Sequence, residues 1–244
     1  MLRSLPLAQP KPDIREFVGI ILGRSRAKRV PLVEYIVDDA VRRPIVTSIL
    51  GREWVEYGPD RESQKAYWQN FIAFWHELGY DFVRFEQGMD FHAGSLALDD
   101  TAPGVEKKRY WAEEHHGIIM TWEDFERYPW PRIEDVDFFP IEYINSHLPE
   151  GMGLISCHAG GIFEHVSRLM SLEGICVAVY ENPDLVQAVA ERVGEVLLSY
   201  YRNLTTFDNL AVLFQGDDMG FRTQTLLPPD DLRRYFLPWH KQFA

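Results

Sequence analysis

Apolar positions along the chain recur in two periods, and the switching between them predicts the elements. Residues 13–23 (DIREFVGIILG) place Ile14, Phe17, Val18, Ile21 and Leu22 on one helical face, with Gly23 as a C-terminal stop. Residues 30–37 (VPLVEYIV) form a near-continuous apolar run and predict a first strand, with Pro31 at its start, where proline is tolerated. Asp60 then caps a predicted helix whose stripe is Tyr67, Trp68, Phe71, Ile72, Trp75 and Leu78. A second strand is predicted over 81–86 (DFVRFE), a third over 152–156 (MGLIS) and a fourth over 210–214 (LAVLF).

Between the second and third strands, residues 92–117 are charged and without clear period, which predicts an irregular insertion. Residues 117–131 predict a short strand and a brief helix, with Thr121 as its cap and Asp124 three positions on. Residues 163–172 read as helical. Asn182 and Pro183 open a long helix whose buried face is Leu185, Val186, Val189, Val193, Val196, Leu197 and Tyr200. After the fourth strand, Pro228-Pro229-Asp230-Asp231 starts a closing helix, in which Pro238 should produce a kink. Strand–helix alternation of this kind predicts an α/β fold with a parallel sheet, presenting its chemistry at the carboxyl ends of the strands.

Composition narrows the functional classes. The 244 residues, 46% hydrophobic, are expected to bury one large core over residues 13–244, behind a loose proline-rich arm at 1–12. A formal charge of −12 argues against a general binder of nucleic acid or anionic membranes, because either partner requires a basic face. No apolar run approaches the roughly 20 residues of a membrane span. The start of the chain lacks the apolar core and small-residue cleavage site of a signal peptide. The two cysteines, Cys157 and Cys176, show no disulfide spacing, so a reduced, cytoplasmic setting is expected.

Polar residues at strand ends are the candidates for chemistry. Glu86, Asp217 and Asp218 are the candidate catalytic carboxylates, each suited to general acid–base work or to anchoring a cation. Successive side chains on a strand face opposite ways, so one of the Asp217–Asp218 pair is expected in a pocket and the other on a loop amide. Glu34, Tyr35, Gln87, His158, Gln215 and Arg222 are candidate substrate-binding residues. Cys157 and His158 are a weak metal candidate, whose competing reading is a buried thiol beside a hydrogen-bonded imidazole.

Several segments taken together resemble the uroporphyrinogen decarboxylase superfamily, which includes cobalamin-dependent methyltransferases. They are Arg29-Val30-Pro31-Leu32, Thr121-Trp122-Glu123-Asp124-Phe125 followed by Tyr128-Pro129-Trp130-Pro131, Tyr180-Glu181-Asn182-Pro183-Asp184-Leu185-Val186, and Gly216-Asp217-Asp218-Met219-Gly220 with Leu237-Pro238-Trp239. The resemblance runs from about residue 13 to the end of the sequence. It implies a TIM-type (β/α)8 barrel, of which this chain would supply about the first four strand–helix units and be C-terminally incomplete.

Two departures bear on activity. Where the decarboxylases carry an arginine-rich motif for substrate carboxylates, this chain reads Tyr35-Ile36-Val37-Asp38-Asp39-Ala40, with Arg42 and Arg43 following. Acidic residues there oppose a carboxylate-rich porphyrinogen. The family's catalytic aspartate falls near Glu86-Gln87. The resemblance therefore implies a corrinoid-dependent methyltransferase, moving a methyl group between a corrinoid protein and a small acceptor. Uroporphyrinogen III decarboxylation, or a non-catalytic tetrapyrrole-binding relative, are the alternatives. The methyltransferase branch implies zinc and a corrinoid, with zinc ligands expected beyond Ala244, whereas the decarboxylase branch requires no cofactor. A tetrapyrrole or corrinoid protein, a small methyl acceptor and a homodimer are the partners this implies.

Overall fold

Asp13 opens the first helix, α1 (Ile14–Ile21), by accepting the Glu16 amide at 2.9 Å, and Gly23 at φ 68° follows its end. The computed structural model describes residues 5, 7, 9–99 and 108–244, leaving aside the side chains of 95, 96, 98, 99 and 108–112. The chain continues through α2 (Asp39–Pro44), a π-helical turn (Ile45–Ile49), α3 (Arg61–Glu77), β1 (Phe82–Gln87), β2 (Ser95–Asp99), β3 (Lys108–Ala112), α4 (Trp122–Arg127) and α5 (Phe139–His147). Then come β4 (Gly153–His158), α6 (Ile162–Met170), α7 (Leu172–Glu181), α8 (Pro183–Leu204), β5 (Leu210–Leu213), α9 (Pro229–Tyr235) and α10 (Leu237–Phe243).

These elements fall into two compact units. The first comprises the chain up to Gln87, Asp137–Cys157 and Asn203–Phe214. Its sheet has the strand order β1-β4-β5, with β4 and β5 parallel and Ile155 opposite Val212. Phe17 of α1 packs on Phe82 of β1 at 4.8 Å between ring centroids, and Ile155 completes that cluster. The α3 stripe buries Tyr67, Trp68, Phe71, Ile72, Phe74 and Trp75, and Trp68 meets Phe85 of β1 edge-on at 5.0 Å. At the amino end of β1, Asp81 accepts both the Asp13 amide and the Arg29 guanidinium, which ties α1 and the segment after it to the sheet.

The second unit comprises Gly88–Val136, His158–Arg202 and Gln215–Ala244. It contains the β2–β3 antiparallel hairpin, in register from Ser95↔Ala112 to Asp99↔Lys108. Thr121 and Asp124 form a reciprocal capping box on α4. The long helix α8 buries Leu185, Val186, Val189, Val193, Val196, Leu197 and Tyr200, the face expected from the apolar spacing. Pro238 separates α9 from α10, because its missing N–H interrupts the helical ladder at Phe236.

The expectation of a (β/α)8 barrel, or of its first four units, is overturned. Among the described residues the structure is 49% helix, with three parallel strands in one open sheet. The expected first strand, 30–37, forms no ladder, and the side chains meant for a core stand in solvent: Val30 is 84%, Val33 67% and Ile36 55% exposed. An apolar run of that type requires cover on both faces to become a parallel strand, and this one lacks it. The supposedly irregular 92–117 stretch contains the β2–β3 hairpin, and residues 117–121 carry no strand. Among the described residues no helix is long and apolar enough to cross a membrane.

Candidate functional site

The polar residues of the first unit gather at the carboxyl end of β1. Period-2 geometry puts Arg84 and Glu86 on the same face of that strand, and Cys157 near the end of β4 joins them. Arg84 Nη2 donates to Glu86 Oε2 at 3.0 Å and lies 3.4 Å from Cys157 Sγ. The Cys157 thiol is 3.5 Å from the same carboxylate oxygen. Burial pushes the thiol pKa up to about 11, and the Glu86 charge reinforces that against the opposing pull of Arg84. Cys157 is thus a neutral thiol held by an ion pair, not a thiolate nucleophile.

Tyr35 and Phe214 cover this cluster. The Arg84 guanidinium carbon sits 4.6 Å from the Tyr35 ring centroid and 5.1 Å from that of Phe214, with the two rings 5.5 Å apart. The Tyr35 phenol pKa is raised, first by burial and then by the negative charge of Glu86. Glu86 thus receives hydrogen bonds from an arginine and a thiol while its side chain stays 22% exposed, against 4% for Arg84. A carboxylate anchored this way at a strand end is fixed in position and still open to a ligand.

The remaining candidates are placed as follows. Glu34 is exposed and accepts the Tyr35 amide at 3.1 Å. Gln87 Nε2 donates to the Asp137 carbonyl at 2.8 Å, and the Gln87 Oε1 is buried without a partner among the described residues. Glu34, Tyr35, Glu86, Gln87 and Cys157 belong to the first unit, whereas His158, Gln215, Asp217, Asp218 and Arg222 belong to the second.

In the second unit His158 is enclosed rather than offered to a ligand. Its Nε2 accepts the Met89 amide at 2.8 Å, which leaves the proton on Nδ1, facing the Gly160 carbonyl at 3.3 Å and His165 Nε2 at 3.4 Å. Phe91 stacks on His165 at 4.3 Å, and Tyr200 meets His158 edge-on at 5.0 Å. Burial, followed by the neighbouring His158, pushes the His165 pKa down to about 3, so His165 is neutral. Asp217 is 1% exposed and serves α6: Oδ2 accepts the Phe163 amide at 3.0 Å and Oδ1 the Glu164 amide at 3.1 Å. His240 Nε2 lies 2.9 Å from Oδ2. Gly160 at φ 86° and Gly161 make room, since a Cβ on Gly161 would stand 2.3 Å from the Asp217 Cβ and Cγ. Asp218 and Arg222 are exposed, and Gln215 is half-buried.

The metal candidate Cys157–His158 does not fit zinc, whose ligands the resemblance places beyond Ala244. Cys157 is a neutral thiol beside a guanidinium, and both ring nitrogens of His158 have protein neighbours. Among the described residues no group of three or more His, Cys, Asp and Glu side chains is arranged for a metal. The residue not anticipated from sequence is Arg84. Its signal was the one basic residue inside the predicted strand DFVRFE, two positions from Glu86 and so on the same face.

Comparison with family models, with curated proteins and with solved structures finds no match to this chain.

Proposed function

We propose that the chain serves a corrinoid-linked methyl transfer, in which a methyl group passes from a corrinoid protein to a small acceptor and Glu86 receives the acceptor's proton. The observation that carries this is the placement of Glu86, partly exposed at the carboxyl end of a parallel strand and held by Arg84 and Cys157, with the Tyr35 ring over Arg84. The motif segments that resemble the uroporphyrinogen decarboxylase superfamily, which includes cobalamin-dependent methyltransferases, suggest the reaction class. When bound, the corrinoid supplies the methyl group. The protein's contribution is to orient the acceptor and to take its proton at a carboxylate that Arg84 and Cys157 keep in place.

A specific observation favours this over uroporphyrinogen decarboxylation. Arg42, the arginine nearest the place of the decarboxylase motif, is buried and donates to Asp39 and to the Tyr67 hydroxyl, while Arg43 pairs with Glu56 at 2.9 Å. Both guanidinium groups are engaged within the chain, so neither stands ready for substrate carboxylates.

The test is to incubate the protein with methylcobalamin and small thiol or amine acceptors, following loss of methylcobalamin and methylation of the acceptor by mass spectrometry. E86Q should slow transfer about 100-fold or more, the usual contribution of a positioned base. Equal rates for wild type and E86Q, or turnover of uroporphyrinogen III in place of methyl transfer, would overturn the proposal.

A further inference from the structure

We propose that Arg84 is an oxyanion-binding residue whose buried Nη1 receives a carboxylate, sulfonate or phosphate group of the ligand that Glu86 serves. The proposal rests on the role given to Glu86 above. Arg84 sits inside a strand, 4% exposed at its side chain, and only part of its donor set is used. Nη2 is shared between Glu86 and Cys157, whereas Nη1 is buried with no partner among the described residues. A guanidinium presents a rigid fork of donors and does not lose its proton, so a buried Nη1 without an acceptor is costly and calls for an oxygen partner.

The cover over Arg84 is suited to opening. Tyr35 and Phe214 flank the guanidinium and are 45% and 42% exposed. Tyr35 lies in a segment with neither helix nor strand, anchored behind by the Arg29–Asp81 ion pair. Neither ring belongs to the Phe17–Phe82–Ile155 cluster, so movement of this cover would leave that core packed. The Arg84–Glu86 pair carries no net charge, so an anion would be drawn by the unpartnered Nη1 donor and not by excess positive charge. Cys157 is a neutral thiol, so Glu86 is the one carboxylate hydrogen-bonded to Arg84 among the described residues. A ligand oxyanion on Nη1 would share the guanidinium with Glu86, which places the ligand's reacting end beside that carboxylate.

The experiment labels the chain with 15N-arginine and titrates acetate, methanesulfonate and inorganic phosphate, reading the guanidinium resonances. One arginine should shift saturably, and the ranking of the three probes identifies the oxyanion class. R84Q should abolish that shift. R84K keeps the charge but not the fork and should weaken binding about tenfold, which covers the case in which R84Q fails to fold. E86Q should tighten binding by removing the competing carboxylate. Shifts spread over exposed arginines and unchanged by R84Q and R84K would overturn the proposal. If E86Q tightens the anion yet leaves methyl transfer intact, the anion site stands and the role of Glu86 fails. If E86Q abolishes transfer while R84K leaves anion binding unchanged, the reverse holds.

Discussion

At the residue scale, the chain sorts its ionisable groups by whether the fold satisfies them internally. Glu86 is held yet open, whereas His158 and His165 are closed off together behind Phe91 and Tyr200. This has a consequence for acid stability. His165 has a folded pKa of about 3, below its ordinary value of 6.5, so the folded state resists protonation that the unfolded chain accepts. Its contribution is complete above the unfolded pKa and is lost as pH falls through the window between 6.5 and about 3. The slope from this one group is at most about 1.4 kcal/mol per pH unit. Urea unfolding of wild type and H165N across that window checks it. The wild type should lose more stability on acidification than the variant, and parallel pH profiles would contradict the assignment.

At the element scale, Asp217 is part of α6 in function though distant in sequence. Its carboxylate closes two amides of the helix's first turn and orients His240. D217A should destabilise the fold by about 1–2 kcal/mol, the usual loss of a helix cap, with D217N milder because it keeps one acceptor oxygen. Urea midpoints read this directly, and a D217A midpoint equal to wild type would refute it. Much at this scale was legible in the sequence. Asp60, Thr121 and the α8 stripe were readable because caps and 3.6-residue spacing are local. The 30–37 strand was misread because a strand exists only when a neighbour supplies its hydrogen bonds, and no local pattern states whether one does. The long-range use of Asp217 was hidden for the same reason. The Arg84–Glu86 face was visible as a period-2 pair, but Cys157 reaches it through strand pairing alone.

At the scale of the whole molecule, the three-stranded sheet is open, with β5 half-buried at one margin and apolar Val30, Val33 and Ile36 in solvent. Unpaired strand margins beside exposed apolar side chains favour association between copies. Light scattering over a concentration series should show mass rising toward that of a dimer, and a monomer at every concentration would contradict this. The proposed function makes the Glu86 cluster the place for chemistry. That claim is tested most directly by single-turnover methyl transfer from methylcobalamin, comparing wild type with E86Q at matched folding. The account predicts transfer by the wild type and a loss of about 100-fold in E86Q. Transfer that is equal in both proteins, or undetectable in the wild type with every acceptor offered, would contradict it.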